Sequence, residues 1–107
     1  MDDRTKKIQT LNDLARTTFL GCRVMITPGV QGMEDLAAIL MKVRTFDAFT
    51  EDNDPHGEHD FGSFRHDGET LFWKIDYYDR TMTAGSEDPS DSDVTTRVLT
   101  ILLASEY

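Results

Sequence analysis

A β-hairpin is the strongest structural signal in this sequence. Two stretches of strand-forming residues, 58–65 and 70–79, flank the segment His66-Asp67-Gly68-Glu69. An Asp-Gly pair between two such stretches is typical of a two-residue type I′ turn, because both central residues of that turn need a positive φ. A turn centred on Asp67 and Gly68 fixes the pairing of every residue along both strands. We therefore expect an antiparallel hairpin at the centre of the fold.

The turn also predicts which residues face each other across the hairpin. His66 pairs with Glu69, and counting outwards from this pair places Gly62 opposite Trp73. A glycine at that position would leave room for the indole ring. The same count places His59 opposite Asp76, which predicts a structural histidine–carboxylate pair. By alternation, four residues of the second strand would face the core: Leu71, Trp73, Ile75 and Tyr77.

The rest of the chain is predicted to add helices and one more strand. Apolar residues at helical spacing predict a helix over residues 5–17, with Arg16 on its solvent side, and a second helix over residues 33–44. Residues 23–27 have the composition of a short strand that stops at a Pro-Gly pair. Residues 50–57 and 80–93 are predicted loops. The apolar spacing from Val94 onwards predicts a last helix, so the expected order is α-β-α-β-β-α.

These elements fit one α+β domain over residues 1–107, in which a small antiparallel or mixed sheet with a central hairpin packs against helices. No apolar run in the sequence is long enough to cross a membrane. The polar start of the chain, residues 1–7, does not resemble a secretory signal. The single cysteine, Cys22, cannot form an internal disulfide. These features predict a cytoplasmic protein.

The negative charge is concentrated in one part of the chain. The sequence has 20 acidic and 11 basic residues, a net charge of −9. Residues 46–93 hold 14 of the acids and 3 of the bases, whereas residues 1–45 have a small positive excess. The electrostatic field of such an acidic segment repels nucleic acid and attracts basic partners. Solubility alone is the alternative explanation for the acidic composition.

Aromatic residues lie among these acids in the second half of the hairpin. Tyrosine is one of the residues that commonly anchor protein interfaces. Since Trp73 and Tyr77 are expected in the core, the candidate interaction residues are Glu58, Asp60, Asp76, Tyr78 and Asp79. We expect them to contact a protein partner with a basic surface. Two alternatives are that the acids only keep the hairpin edge from pairing with other strands, and that this edge forms a homodimer.

The segment Asn53 to Gly62 raises a metal-binding alternative. Its possible ligands are Asp54, His56, Glu58, His59 and Asp60. Histidine nitrogens and carboxylate oxygens suit zinc, manganese or iron, so a metal-binding domain or a metal-dependent hydrolase is the second hypothesis for function. In an extended segment, however, neighbouring side chains point to opposite sides, and the ligands would converge only around a tight turn. The first hypothesis needs no cofactor, and it treats the segment as a turn followed by a strand.

No motif in the sequence predicts catalysis. Serines at positions 63, 86 and 90 lack the surroundings of a nucleophile elbow, and neither a P-loop nor a dinucleotide-binding glycine motif is present. Direct binding of nucleic acid would depend on a few cations in the first helix, which is a weak footprint beside the net negative charge. We therefore expect a protein that is not an enzyme and does not bind nucleic acid directly.

Four segments resemble a known family: NDPHGEHDFGSF, LFWKIDYYD, SEDPSD and VTTRVLTILLASEY. The sequence resembles, from about Ile8 to Tyr107, a bacterial family of domains of unknown function. That family is associated mainly with alphaproteobacteria, plasmids and other mobile elements. The resemblance transfers no catalytic residues. It implies that the gene is of the kind that mobile elements carry, and such genes include inhibitors of restriction or CRISPR systems. Together with the acidic segment, it leads us to expect an inhibitor that binds a basic surface of a nucleic-acid-binding complex.

Overall fold

The computed structural model describes residues 2–107 and has the expected α+β architecture. Four strands form one mixed sheet: β1 (Arg23–Ile26), β2 (Phe61–His66), β3 (Glu69–Tyr78) and β4 (Thr96–Leu103). Three helices accompany them: α1 (Asp3–Thr18), α2 (Pro28–Gln31) and α3 (Leu36–Arg44). A 3₁₀ turn, Ala104–Glu106, follows the last strand. No helix within residues 2–107 is long and apolar enough to span a membrane.

The predicted hairpin and its register are confirmed. Strands β2 and β3 are antiparallel, and His66 pairs with Glu69. Asp67 and Gly68 have φ values of 50° and 79°, as a type I′ turn requires. Gly62 lies opposite Trp73, and a Cβ added to the glycine would be 2.6 Å from Cε2 of the indole. The glycine is therefore needed because the ring lies against the backbone.

The last element is a strand, so the predicted helix from Val94 onwards was wrong. β4 lies between β1 and β3, in the sheet order β1-β4-β3-β2, parallel to β1 and antiparallel to β3. Residues on both of its faces are buried, among them Val98, Leu99, Ile101 and Leu102. A strand buried on both faces has a continuous apolar sequence rather than an alternating one, and such a run can be mistaken for a helix.

The core lies between one face of the sheet and the helices. Leu71, Trp73 and Ile75 of β3 are buried there, as the alternation predicted, whereas Tyr77 is only partly buried. Leu99 and Ile101 of β4 join them, and α2 and α3 cover the cluster with Val30, Ile39 and Val43. Phe46, just after α3, packs its ring edge-on against Trp73 at 5.5 Å.

Helix α3 begins later than predicted. Residues 33–35 precede it, and Asp35 adopts a left-handed conformation in which its carboxylate accepts a hydrogen bond from the backbone N–H of Ala38. This bond satisfies one of the amide donors that the start of a helix leaves free. The cap therefore fixes the first turn of the helix at Leu36.

Helix α1 forms as predicted, but one of its charged residues lies on the opposite side from the one expected. Arg16 is 3% exposed, whereas Leu14 is 55% exposed. The Arg16 guanidinium donates to the backbone oxygens of Val43 and Arg44 at the C-terminus of α3, where the helix dipole favours a cation. It also lies 5.0 Å from the centre of the Trp73 ring. These contacts offset the cost of burying the charge.

Candidate interaction site at the open end of the hairpin

The five predicted interaction residues meet at the open end of the hairpin, opposite its turn. We call this set, Glu58, Asp60, Asp76, Tyr78 and Asp79, the acidic end. The hairpin pairing extends one residue beyond β2, because the backbone N–H of Ile75 donates to the backbone oxygen of Asp60 at 2.8 Å. The beginning of β2 therefore lies beside the end of β3. The antiparallel register brings together residues that are about twenty positions apart in the chain.

The members of the acidic end lie on two faces of the sheet. Asp76 and Tyr78 alternate with buried Ile75, so their side chains point away from the helices. Glu58 instead contacts Tyr77, on the same face as the helices. The acidic end is therefore a rim around the end of the sheet rather than one flat patch.

Glu58 belongs to a hydrogen-bonded network that ties the hairpin to α1. The Tyr77 hydroxyl donates to Glu58 Oε1 at 2.7 Å. Asn12, which is fully buried in α1, donates through Nδ2 to the Tyr77 oxygen at 2.7 Å and to the backbone oxygen of Glu58 at 3.0 Å. Burial, followed by the hydrogen bond to Glu58, raises the pKa of Tyr77 far above its usual range. The hydroxyl therefore stays protonated and acts as a donor.

Asn12 also connects this network to a buried cation. Its Oδ1 accepts a hydrogen bond from Nε of Arg97 at 2.8 Å, and the Arg97 guanidinium lies 5.3 Å from the centre of the Tyr77 ring. The second guanidinium contact is to the backbone oxygen of Pro89. One asparagine side chain thus joins α1, the segment before β2, β3 and β4.

Asp60 lies near two other carboxylates, those of Glu58 and Asp54. Burial raises the pKa of the Asp60 carboxyl first, and the neighbouring Glu58 and Asp54 carboxylates raise it further. Within residues 2–107, neither Glu58 nor Asp60 forms an ion pair with a basic side chain. The arrangement therefore leaves these two neighbouring carboxylates without a direct ionic partner in the described part of the chain.

The other members of the acidic end have partners of their own. Asp76 forms an ion pair with Lys74. Tyr78 lies in a backbone bridge with Gly85. Asp79 accepts hydrogen bonds from the Thr83 backbone N–H and the Thr81 hydroxyl, and these bonds lower the pKa of its carboxyl. Asp79 therefore stabilises the turn that follows β3.

The predicted pair of His59 with Asp76 does not form. His59 has a φ of 55°, so the chain leaves the extended conformation before the register could place the two residues face to face. The His59 ring instead stacks on Phe49, with centroids 3.7 Å apart, and its Nδ1 lies 2.8 Å from Asp13 Oδ1. Asp54 accepts hydrogen bonds from the His59 backbone N–H. The histidine thus fastens the loop before β2 to α1.

The five residues of the metal-binding alternative are not brought together as ligands. His56 is exposed, Glu58 is bonded to Tyr77, and His59 lies between Asp13 and Asp54. Across residues 2–107, no group of three or more histidine, cysteine, aspartate or glutamate side chains has the arrangement of a metal site. The chain does turn tightly at residues 54–57, where the Gly57 N–H donates to the Asp54 backbone oxygen at 3.1 Å, but this turn does not make the five side chains converge.

Sequence reasoning missed three residues of α1 that organise this region: Asn12, Asp13 and Arg16. One signal was present for Asn12 and Arg16. Together with Ile8 and Ala15 they follow the spacing of a single helical face, and all four are buried. A polar residue on the apolar face of a helix predicts a buried hydrogen-bonded network.

Comparison with curated proteins and with solved structures finds no match for this chain. A family model described as "Protein of unknown function (DUF3768)" matches residues 26–106, which include α2, α3 and all of β2, β3 and β4. The match covers most of the chain and confirms the resemblance to an uncharacterised domain family. The chain therefore belongs to the DUF3768 family of proteins of unknown function.

Proposed function

We propose that this protein is a non-enzymatic interaction protein that binds a basic protein surface through its acidic end. The observation that carries the proposal is the uncompensated charge around Asp60. Its carboxyl is half-buried beside Glu58 and Asp54, and within residues 2–107 no basic side chain forms an ion pair with it. A lysine or arginine from a partner would relieve this repulsion. Such complementarity contributes chiefly to association rate and specificity.

The loops next to the acidic end would extend the negative surface. Glu87 and Asp93 are exposed in the segment between β3 and β4, which belongs to the acidic half of the chain, residues 46–93. A negative surface of this kind complements a partner protein whose basic surface binds phosphate groups. We therefore infer that the partner is a nucleic-acid-binding complex in the cytoplasm.

The resemblance to a family carried by mobile elements supports a more specific proposal. A mobile element gains from a protein that occupies the nucleic-acid groove of a restriction or CRISPR complex. Carboxylates around the end of a sheet would compete there with the phosphates of DNA or RNA. We therefore propose an inhibitor of the anti-restriction or anti-CRISPR type.

Charge neutralisation at the acidic end tests the binding proposal. The test variant is Asp60→Asn with Asp76→Asn, which removes two negative charges and leaves the Glu58–Tyr77 hydrogen bond in place. The matched control is Asp67→Asn with Glu69→Gln, which removes two charges at the other end of the hairpin. Asparagine tolerates the positive φ of position 67. Both variants have the same net charge.

The immobilised wild type and both variants are used to capture proteins from bacterial lysate at low and high salt. We expect a partner that the wild type and the control retain at low salt, that the test variant loses, and that high salt releases. Equal retention of the partner by all three proteins would show that the acidic end does not contribute to binding. Equal loss from both variants would show that only net charge matters.

A cellular measurement tests the inhibitor proposal. Unmodified plasmid DNA is introduced into a restriction-proficient strain and into a strain that carries a CRISPR system targeting the plasmid. Expression of the wild type should raise the number of transformants in one of them, and the Asp60→Asn/Asp76→Asn variant should not. Equal transformation with and without the protein in both strains would contradict inhibition of these systems, while the capture experiment would still test binding.

A further inference from the structure

A cavity at the same end of the sheet has the opposite electrostatic character. It lies between α1, the start of β1 and the start of β4, and its volume is about 460 Å³. This is within the range of about 300–1,000 Å³ that is usual for small-molecule sites. Its polar lining consists mainly of three arginines and three hydroxyl groups: Arg23, Arg80, Arg97, Ser92, Thr95 and Thr96. Among residues 2–107, no aspartate or glutamate lines it.

This lining is unusual for a chain with a net charge of −9. The sequence has 20 acidic residues, so three arginines without one carboxylate among the lining residues is a marked local departure. The side chains of Arg23 and Arg80 form no hydrogen bond or ion pair with other residues in the range 2–107, whereas those of Arg4 and Arg16 each pair with an aspartate. Two guanidinium groups at the cavity are therefore free to bind an external anion.

The third arginine is held in place by the fold. Arg97 is 3% exposed, and its Nε and Nη2 donate to Asn12 and Pro89 respectively. The nearby Glu58 carboxylate bonds to Tyr77 rather than to Arg97, and Arg97 forms no ion pair within residues 2–107. A buried cation is costly unless an anion or several hydrogen bonds compensate it. An anion in the cavity would complete this compensation.

The rest of the cavity lining is largely apolar. It includes Leu11 and Leu14 of α1 and Leu20 of the following loop, and the last two side chains are 55% and 69% exposed. Leucines exposed beside a cavity would be covered by an apolar part of a ligand. The lining therefore combines groups suited to an oxyanion with groups suited to a hydrocarbon chain.

We propose that this cavity binds a small organic anion, with its carboxylate or phosphate group held by Arg23, Arg80 and Arg97 and its apolar part packed against Leu14 and Leu20. Guanidinium groups bind both oxyanions through paired hydrogen bonds, so the two classes share the same recognition chemistry. The cavity shares no lining residue with the acidic end, and either proposal can fail without the other.

Calorimetric titration of the full-length protein tests the proposal with four probes. Octanoate and octyl phosphate carry both features, inorganic phosphate lacks the apolar part, and octanol lacks the charge. We expect saturable binding of at least one amphiphilic anion at one site per chain, with weaker binding of inorganic phosphate and of octanol. The stronger of the two amphiphiles identifies the oxyanion class. Equal binding of octanol, or no saturable binding of either amphiphile at millimolar concentration, would overturn the proposal.

Two double variants separate the cavity from general charge effects. Arg23→Gln with Arg80→Gln removes the two free guanidinium groups, while Arg4→Gln with Arg65→Gln removes two exposed arginines that do not line the cavity. The first variant should weaken binding of the amphiphilic anion by about tenfold or more, as expected for the loss of charge-assisted hydrogen bonds. The second should bind as the wild type does. An unchanged affinity in the first variant would contradict the assignment.

Cys22 provides a second readout because it is the only cysteine and lines the cavity. Its rate of alkylation by the neutral reagent iodoacetamide reports whether the space around the thiol is filled. Octanoate or octyl phosphate should slow this reaction in the wild type and in the Arg4→Gln/Arg65→Gln control, and should lose the effect in Arg23→Gln/Arg80→Gln. The same slowing in all three proteins would place the bound anion elsewhere.

Discussion

The Tyr77 hydroxyl donates a hydrogen bond to Glu58 Oε1 and accepts one from Asn12 Nδ2, each at 2.7 Å. These two bonds connect the end of β3 with the segment before β2 and with α1. They also orient one carboxylate of the acidic end. The position of the candidate interaction site therefore depends on a network that is itself structural.

Replacement of Tyr77 by phenylalanine should destabilise the protein by about 1–2 kcal/mol. The variant keeps the ring beside Arg97 but leaves a half-buried carboxylate and a buried amide without their shared hydroxyl. Urea unfolding measures the change in free energy. Tyr78→Phe is the matched control, because the Tyr78 hydroxyl forms no hydrogen bond within residues 2–107, and it should unfold nearly as the wild type does. Equal stability of Tyr77→Phe and wild type would show that the network is not stabilising.

Replacement of Asn12 by alanine should lower the free energy of unfolding by more, about 2–4 kcal/mol, because it leaves several buried groups without a hydrogen-bond partner. Asn12 Oδ1 is the acceptor for Arg97 Nε, and its Nδ2 serves both Glu58 and Tyr77. Thr10→Ala, at an exposed position of the same helix, is the control for the substitution itself. Unfolding of Asn12→Ala, Tyr77→Phe and the double variant should show a double-mutant effect smaller than the sum of the two single effects. Strict additivity would argue against one shared network.

The raised pKa of Asp60 predicts how stability depends on pH. Above the ordinary aspartate pKa of 3.8, the unfolded chain releases a proton that the folded protein still holds at Asp60. This difference in bound protons makes stability fall as pH rises through the interval between the ordinary and the raised pKa. Asp60→Asn removes the effect. The stability of the variant relative to wild type should therefore increase as pH rises above the ordinary aspartate pKa of 3.8.

Urea unfolding at several pH values across that interval measures the relative stability. Asp52→Asn, at an exposed loop position, is the control for the loss of one carboxylate. A relative stability of Asp60→Asn that decreases with rising pH would contradict a raised pKa, because a lowered pKa gives the opposite slope.

The hairpin could be predicted residue by residue because its determinants are local. Asp67 and Gly68 are the type I′ turn sequence, and the turn fixes the register as far as Asp60. The change from an extended to a left-handed backbone conformation at His59 could not be predicted, since a positive φ at a histidine has no clear sequence signal. It depends on long-range contacts of the ring with Phe49 and Asp13.

The last strand could not be predicted because its environment is entirely tertiary. Val98, Leu99, Ile101 and Leu102 occupy both faces of β4 and are all buried, and this burial arises only once β4 lies between β1 and β3 in the folded protein. The same residues also satisfy the spacing of an apolar helix face. Arg97 was missed as a feature of the site for the same reason. Its position between Asn12 and Pro89 exists only after β4 has joined the sheet.

Replacement of Gly62 by alanine tests the close packing of the hairpin backbone against Trp73. A Cβ at this position would lie 2.6 Å from Cε2 of Trp73 and 2.8 Å from Cζ of Phe46, well inside van der Waals contact. Because the indole is fully buried, it cannot move aside without disturbing its neighbours, and overpacking of this kind costs about 1–3 kcal/mol. We expect a lower urea midpoint and altered tryptophan fluorescence in the folded state. Gly85→Ala is the control, since its nearest neighbour would be 3.8 Å away. An equally small effect of both substitutions would show that Trp73 has room to shift.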